Sequence, residues 1–288
     1  AREQSISAAA ESLHLSQPTL SIQLKALEEE LGKQLLIRGT KGSRKVLLTD
    51  EGMILRKRAE EILTLVQKAK SEVQMTDASI AGDVYIGAGE TDIIRYFARA
   101  AKRMKKSCPD IRYHISSGNA QFVTEQLDKG LIDFGLMYGP VDRTKYEALT
   151  LPIGDRFGVL MRRDDPLAQK EWISPEELRD KPLILSAQDR SEGWTVSSQI
   201  RQDVSRLNVA ATYNLIFNAS LMVEEGLGYA VCLDKLINTS GDSQLCFLPL
   251  RPEIVITPSI VWKRYQVFSK ASERFLQELT SVMDLPQK

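Results

Sequence analysis

The stretch HLSQPTLSIQLKALEEELG, His14 to Gly32, carries a Ser and a Pro at its mouth, leucines at regular spacing and a closing Gly. Ser16 is a good helix N-cap, and Pro18 in the first turn forfeits no hydrogen bond there. Leu20, Leu24, Leu27 and Leu31 recur at spacings of 4, 3 and 4, which lays one apolar core stripe along a helix that Gly32 ends. The other side presents Gln17, Thr19, Ser21, Ile22, Gln23 and Lys25, mostly small or polar. A helix with one buried stripe and such an outer face has surface left for a partner.

Upstream, Ser7 is placed to cap a short helix through Ala8–Leu13, whose small residues allow close approach, and His14 and Leu15 make the turn. A short helix, a tight turn and a second helix with a small polar mouth are the parts of a helix-turn-helix, whose second helix enters the DNA major groove N-terminus first. An ordinary αα-hairpin is the plain alternative. Downstream, QLLIRG and RKVLLT flank TKGS, as in a β-hairpin. Lys33, Arg38, Lys41, Arg44 and Lys45 lie in this segment with no acid among them. A basic wing of this kind lies against phosphates and gives affinity without sequence choice. A solvated surface turn explains the unmixed charge less well. Thr49 then caps a long helix from about Asp50 to about Ala78, in which Leu55, Ala59, Ile62, Val66, Ala69 and Val73 are spaced 4, 3, 4, 3 and 4. That heptad seam on a helix about 40 Å long predicts pairing with a second subunit.

AAESLHLSQPTLSIQLKALEEELGKQLLIRG, followed by LLTDEG and a long helix, resembles the N-terminal part of a LysR-type transcriptional regulator. The resemblance covers residues 1 to about 78 densely and implies a winged helix-turn-helix over residues 1–49 and a linker and dimerisation helix over 50–79. It implies DNA contacts from Ser16, Gln17, Pro18, Thr19, Ser21, Ile22 and Lys25, with Arg38, Lys41, Arg44 and Lys45 on the wing. Family members often carry Arg or another polar residue where Ile22 stands, and Ile22 can still touch a thymine methyl. They also usually have a further helix before Ala1, so a missing first helix is expected, leaving Ala9 and Leu24 partly uncovered.

From Ala81 on, strand-like runs DVYIG, IRYHIS, LIDFGLM and RFGVLM alternate with helical stretches, and a second series follows in PLILS, ATYNLIF, SLMVEEGLGYAVC and LCFLPL. This alternation predicts mostly parallel α/β sheets, making the chain an α+β multi-domain protein. The resemblance implies a two-lobed, periplasmic-binding-protein-like effector domain over residues 84–288, with lobe I at 84–160 and 263–288 and lobe II at 161–262. Ligands in open α/β sheets sit beyond the carboxyl ends of strands, near helix N-termini. Gly89, Glu90, Thr91 and Asp92, then Ser117, Gly118 and Asn119, then Ser186, and finally Asn218 and Ser220 occupy such junctions. Each is also a plausible structural cap. Glu90 and Asp92 would repel an effector carboxylate, so either they point away and Thr91 offers the hydrogen bond, or the effector is neutral or an amine.

Composition excludes several classes. The 288 residues hold 38 Lys+Arg and 38 Asp+Glu, so net charge alone names no partner. With His14 and His114 the only histidines, a Ser-His-Asp triad has little material, and no GxxxxGK or zinc spacing occurs. GAGETD departs from GxGxxG at Asp92. No enzyme activity, cofactor or metal is expected. Cys108, Cys232 and Cys246 lack CxxC spacing and suit reduced thiols, and with no apolar run long enough for a membrane span the expected place is the cytoplasm. The expected partners are double-stranded DNA, a small-molecule effector, further copies as a homodimer or homotetramer, and RNA polymerase. A solute-binding protein with no DNA-binding role fits residues 84–288 but leaves the first 78 unexplained.

Overall fold

The computed structural model describes residues 1–38, 46–74, 80–187 and 207–283. The chain divides into two compact units, Ala1–Lys70 and Ser71–Lys288.

The first unit opens with α1 (Ile6–Ser12) and α2 (Gln17–Leu31). Ser5, not Ser7, caps α1: Ser5 has extended backbone and its hydroxyl accepts from the Ala8 N–H at 3.3 Å, while Ser7 already lies inside the first turn. Ser16 caps α2 by accepting from the Thr19 N–H at 3.2 Å, and Gly32 closes the helix at φ 63°, a left-handed position where glycine is at ease. Leu20 is buried, but Leu27 and Leu31 are exposed, so only the first part of the apolar stripe is covered. A cavity of about 210 Å³ lies between Ile6, Ala9, Leu20, Leu24, Val46 and Leu48.

Strands β1 (Leu36–Arg38) and β2 (Val46–Leu48) pair antiparallel with Leu36 opposite Leu48. Lys41, Arg44 and Lys45, expected at the tip between them, lie outside the described residues. The LEEELG and LTDEG segments place this hairpin. Glu28 accepts from the Leu35 and Leu36 N–H groups at 2.7 and 3.1 Å. Thr49 accepts from Gly52 N–H at 3.0 Å and donates to the Gln34 carbonyl at 2.7 Å. Gly52 packs so closely that a Cβ would lie 2.1 Å from the Leu35 carbonyl oxygen. Helix α3 (Asp50–Gln74) follows, and the expected extension to Ala78 falls outside the described residues. Ile54, Ile62, Leu63, Val66 and Val73 are exposed along it.

Among the described residues, the second unit holds two sheets. In the first, the order is β4-β3-β5-β13-β6, with β3 (Gly82–Ala88) parallel to β4 (Ile111–Ser117) and β5 (Phe134–Met137), and β13 (Ser259–Lys263) antiparallel to β5 and to β6 (Tyr146–Thr150). Alternation along β13 separates two cores. Ile260 joins Phe97, Phe134 and Phe275 with α4 (Ile94–Met104) and α7 (Lys270–Met283), while Val261 joins Val123 and Leu127 of α5 (Ala120–Asp128). The second sheet runs β11-β7-β10-β8-β9 with β12 (Val255–Ile256) on β7. Here β8 (Leu183–Ser186) is parallel to β9 (Val209–Tyr213) and β10 (Tyr229–Leu233), and β7 (Asp155–Arg162) is antiparallel to β10 and β11 (Leu245–Pro249).

These pairings move the expected lobe boundaries. All of β7 is bonded into the second sheet and all of β13 into the first, so the chain crosses between lobes just before Asp155 and just before Ser259, not at 160/161 and 262/263. The ATYNLIF run is not one strand either: it ends as a strand at Tyr213, and α6 (Ile216–Glu224) begins within it.

Candidate functional site

Two sets of polar side chains stand out. On α2, Gln17, Pro18, Thr19, Ile22 and Lys25 are exposed and Ser21 is half-buried, with Ile22 69% exposed. Their hydrogen bonds are local: Gln17 donates to Ser21 Oγ at 2.9 Å, Ser16 and Thr19 share a hydroxyl pair at 2.7 Å, and Lys25 pairs with Glu29 at 3.4 Å. The cap leaves the start of α2 unobstructed, and its side chains lie on a convex, water-facing helix surface. Arg38 closes β1.

The second set lies where the two lobes meet. Thr91 is 5% exposed, accepts from the Ile93 N–H at 3.0 Å and donates to Asp155 Oδ2. The Tyr138 hydroxyl donates to the same oxygen. Burial pushes the Asp155 carboxyl above the usual carboxylate range; Asp92 adds to this, while the two hydroxyls and Lys235 act against it. Burial, then the Asp155 charge, also raises the Tyr138 hydroxyl. Glu90 reaches the second lobe, where its Oε2 accepts from the Ile216 N–H. Asp92 pairs with Arg95. Thus Glu90, Thr91 and Asp92 all have partners within the chain: the two carboxylates are taken up by Ile216 and Arg95, and the Thr91 hydroxyl proton goes to Asp155.

The remaining expected residues divide. Ser117 is exposed at the end of β4, and Ser186 is half-buried at the end of β8. Gly118 donates to the Ala88 carbonyl at 3.0 Å, and a Cβ there would lie 2.2 Å from the Phe122 ring. Asn119 caps α5, its Oδ1 accepting from Phe122 N–H at 2.9 Å. Asn218 is exposed in the first turn of α6, whereas Ser220 is buried one turn into the helix, with its hydroxyl given to the Phe217 carbonyl at 2.7 Å, so Ser220 does not stand at the helix mouth. A cavity of about 600 Å³ opens beside Gly89, Glu90, Asp92, Ser117 and Lys235 over an apolar floor that includes Phe97 and Tyr113. Asp155, Tyr138 and Lys235 were missed by sequence reasoning. The signal for Asp155 was an acid opening the apolar run RFGVLM.

A DNA-reading head joined to a two-lobed binding domain defines a ligand-responsive regulator of transcription. Residues 1–53 match the bacterial regulatory helix-turn-helix protein family of lysR type, and residues 77–284 match the LysR substrate binding domain. The chain belongs to the LysR family of DNA-binding transcriptional regulators, proteins that act as regulators rather than as enzymes. It is 28% identical over 286 residues to a probable RuBisCO transcriptional regulator of Synechocystis sp. (strain ATCC 27184 / PCC 6803 / Kazusa), covering 97% of this chain and 82% of the relative. Its fold is similar to that of CbnR, a LysR family transcriptional regulator (TM-score 0.74, 16% identity, 99% of this chain and 96% of the other), and to full-length CbnR complexed with its target DNA (TM-score 0.71, 17% identity, 96% and 94%). Among the described residues no helix is long and apolar enough to cross a membrane.

Proposed function

We propose that Gln17, Pro18, Thr19, Ser21 and Ile22 read base edges of double-stranded DNA, that Lys25, Arg38 and the tip residues Lys41, Arg44 and Lys45 lie on phosphates, and that a small molecule between the two lobes sets the protein's activity. The observation that carries the DNA reading is the exposed mouth of α2, whose polar groups satisfy one another within a single turn and are free to exchange those bonds for base edges. The exposed heptad residues Ile62, Val66 and Val73 support pairing of two copies along α3, as a homodimer or homotetramer. Sedimentation of the Ile62→Asp, Val66→Asp variant as a monomer is the expected result, and an unchanged assembly counts against it. Acting beside its DNA site, the regulator influences RNA polymerase in the cytoplasm and needs no cofactor of its own. A ligand that favours one arrangement of the lobes changes the spacing of the DNA-reading helices, to the extent that it binds the two arrangements with different affinity.

The test is selection of preferred sites from a random duplex library with the full chain, followed by anisotropy titrations. Gln17→Ala and Ser21→Ala should each lower preference for the selected site by about 1–3 kcal/mol. Lys25→Ala should weaken all duplexes alike and reduce the salt slope by about 1. Equal loss of preference in all three variants would remove this division of roles.

A further inference from the structure

Helix α6 takes its cap from elsewhere. Its N-cap residue is Leu215, which has no side-chain oxygen, and no acid stands in its first turn. The N–H of Ile216 nevertheless has a partner, Glu90 Oε2, 126 residues earlier and in the other lobe. A helix mouth gathers free N–H groups and partial positive charge, which is why anions settle there. In this chain a carboxylate of the protein itself stands in that place. The loop that presents it is held on both sides of Glu90. Gly89 follows the last residue of β3, Thr91 is bonded to Asp155, and Asp92 is paired with Arg95.

We propose that Glu90 is a tethered occupant of the cleft: it fills, within the chain, the position an anionic ligand would take at the mouth of α6, holds the lobes together with no ligand bound, and so excludes free carboxylates from that position. A tethered group acts at an effective concentration of about millimolar or higher, which a free competitor must overcome. Glu90 thereby determines specificity, turning the site away from simple carboxylic acids. This consequence for ligand choice rests on the reading of the cleft as the effector site; the contact between the lobes does not.

The experiment is chemical rescue in the full chain. Glu90→Ala should melt on the order of 3–8 °C below the parent, because a charge-assisted bond and a helix cap are lost together. Sodium acetate or propionate should then restore part of the loss, beyond the effect of sodium chloride at equal ionic strength, while the parent protein shows no carboxylate-specific rise. Equal melting of the two proteins, or an equal response of both to acetate, would overturn the proposal. If Glu90→Ala does not fold, Glu90→Gln decides: it keeps shape and acceptor but not charge, a lower melting temperature supports the tether, and an unchanged one overturns it. Failure of every metabolite to bind the cleft would remove the effector reading and leave the rescue result standing.

Discussion

The outer face of α2 and the junction of the two lobes carry similar chemical groups and use them in opposite ways. On α2, Ser16, Thr19, Gln17 and Ser21 bond within a turn of one helix, facing water. At the lobe junction, Thr91, Tyr138 and Glu90 bond to residues 64, 17 and 126 positions away, in partly or wholly buried surroundings. Short local bonds on a wet surface are easily exchanged for an outside partner, because water satisfies whatever is left. Long-range bonds in a dry place hold tertiary structure, and breaking one leaves a buried group unsatisfied. A polar residue at a strand end is therefore not by itself a ligand contact, and here the Thr91 hydroxyl bonds to Asp155 and to the Ile93 N–H within the fold.

The strongest way to break this contrast is a pair of double variants. Thr91→Val with Tyr138→Phe removes both hydroxyl donors from Asp155 and should destabilise the chain by about 3 kcal/mol. Gln17→Ala with Thr19→Val should stay within about 0.5 kcal/mol. Urea unfolding of both measures the difference, and similar losses would erase the distinction. A smaller effect sharpens it within the head: Ser5→Ala should cost about 1 kcal/mol and Ser7→Ala much less, since Ser5 supplies the cap. Equal melting of these two would return the cap to Ser7.

The smallest effect lies in pH. The Asp155 carboxyl is raised by burial, so its contribution is fully present below the ordinary carboxylate value of about 4 and is lost as pH rises through its elevated value in the fold. Asp83 is also burdened by burial, but Arg112 and His114 outweigh that and bring it below its usual range. Its contribution is present above about 4 and fades as pH falls through its depressed value. Relative to Asp155→Asn, the parent should therefore gain stability as pH falls from 7 to 4, and relative to Asp83→Asn it should lose stability as pH falls below 4. Unfolding at a series of pH values reads the two slopes, and slopes of one sign would contradict the assignment.

What was legible in the sequence follows the same division. Ser16, Pro18 and Gly32 bound α2 by bonds among near neighbours, and the spacing of its leucines needs no knowledge of the rest of the chain. The sequence places the cap of α1 at Ser7, and only the extended backbone of Ser5 shows that the cap lies two positions earlier. Leu215, Ile216 and Phe217 continue an apolar run after a strand, and nothing local announces a helix whose cap lies in another lobe. The crossings between lobes were misplaced for a related reason: β7 and β13 both have apolar centres, Val159–Met161 and Ile260–Trp262, and only their partners reveal which sheet each joins.

The position of β13 bears on how the chain is made. It lies between β5 and β6 in the first sheet, and α7 completes the same core, yet both come after the whole of the second sheet in the chain. As the polypeptide leaves the ribosome, the described strands of the second lobe are all made while the first still has a gap between β5 and β6, which await a strand not yet synthesised. The lobe that begins first is finished last, and a nascent chain stopped before Ser259 exposes two strand edges that the complete protein covers.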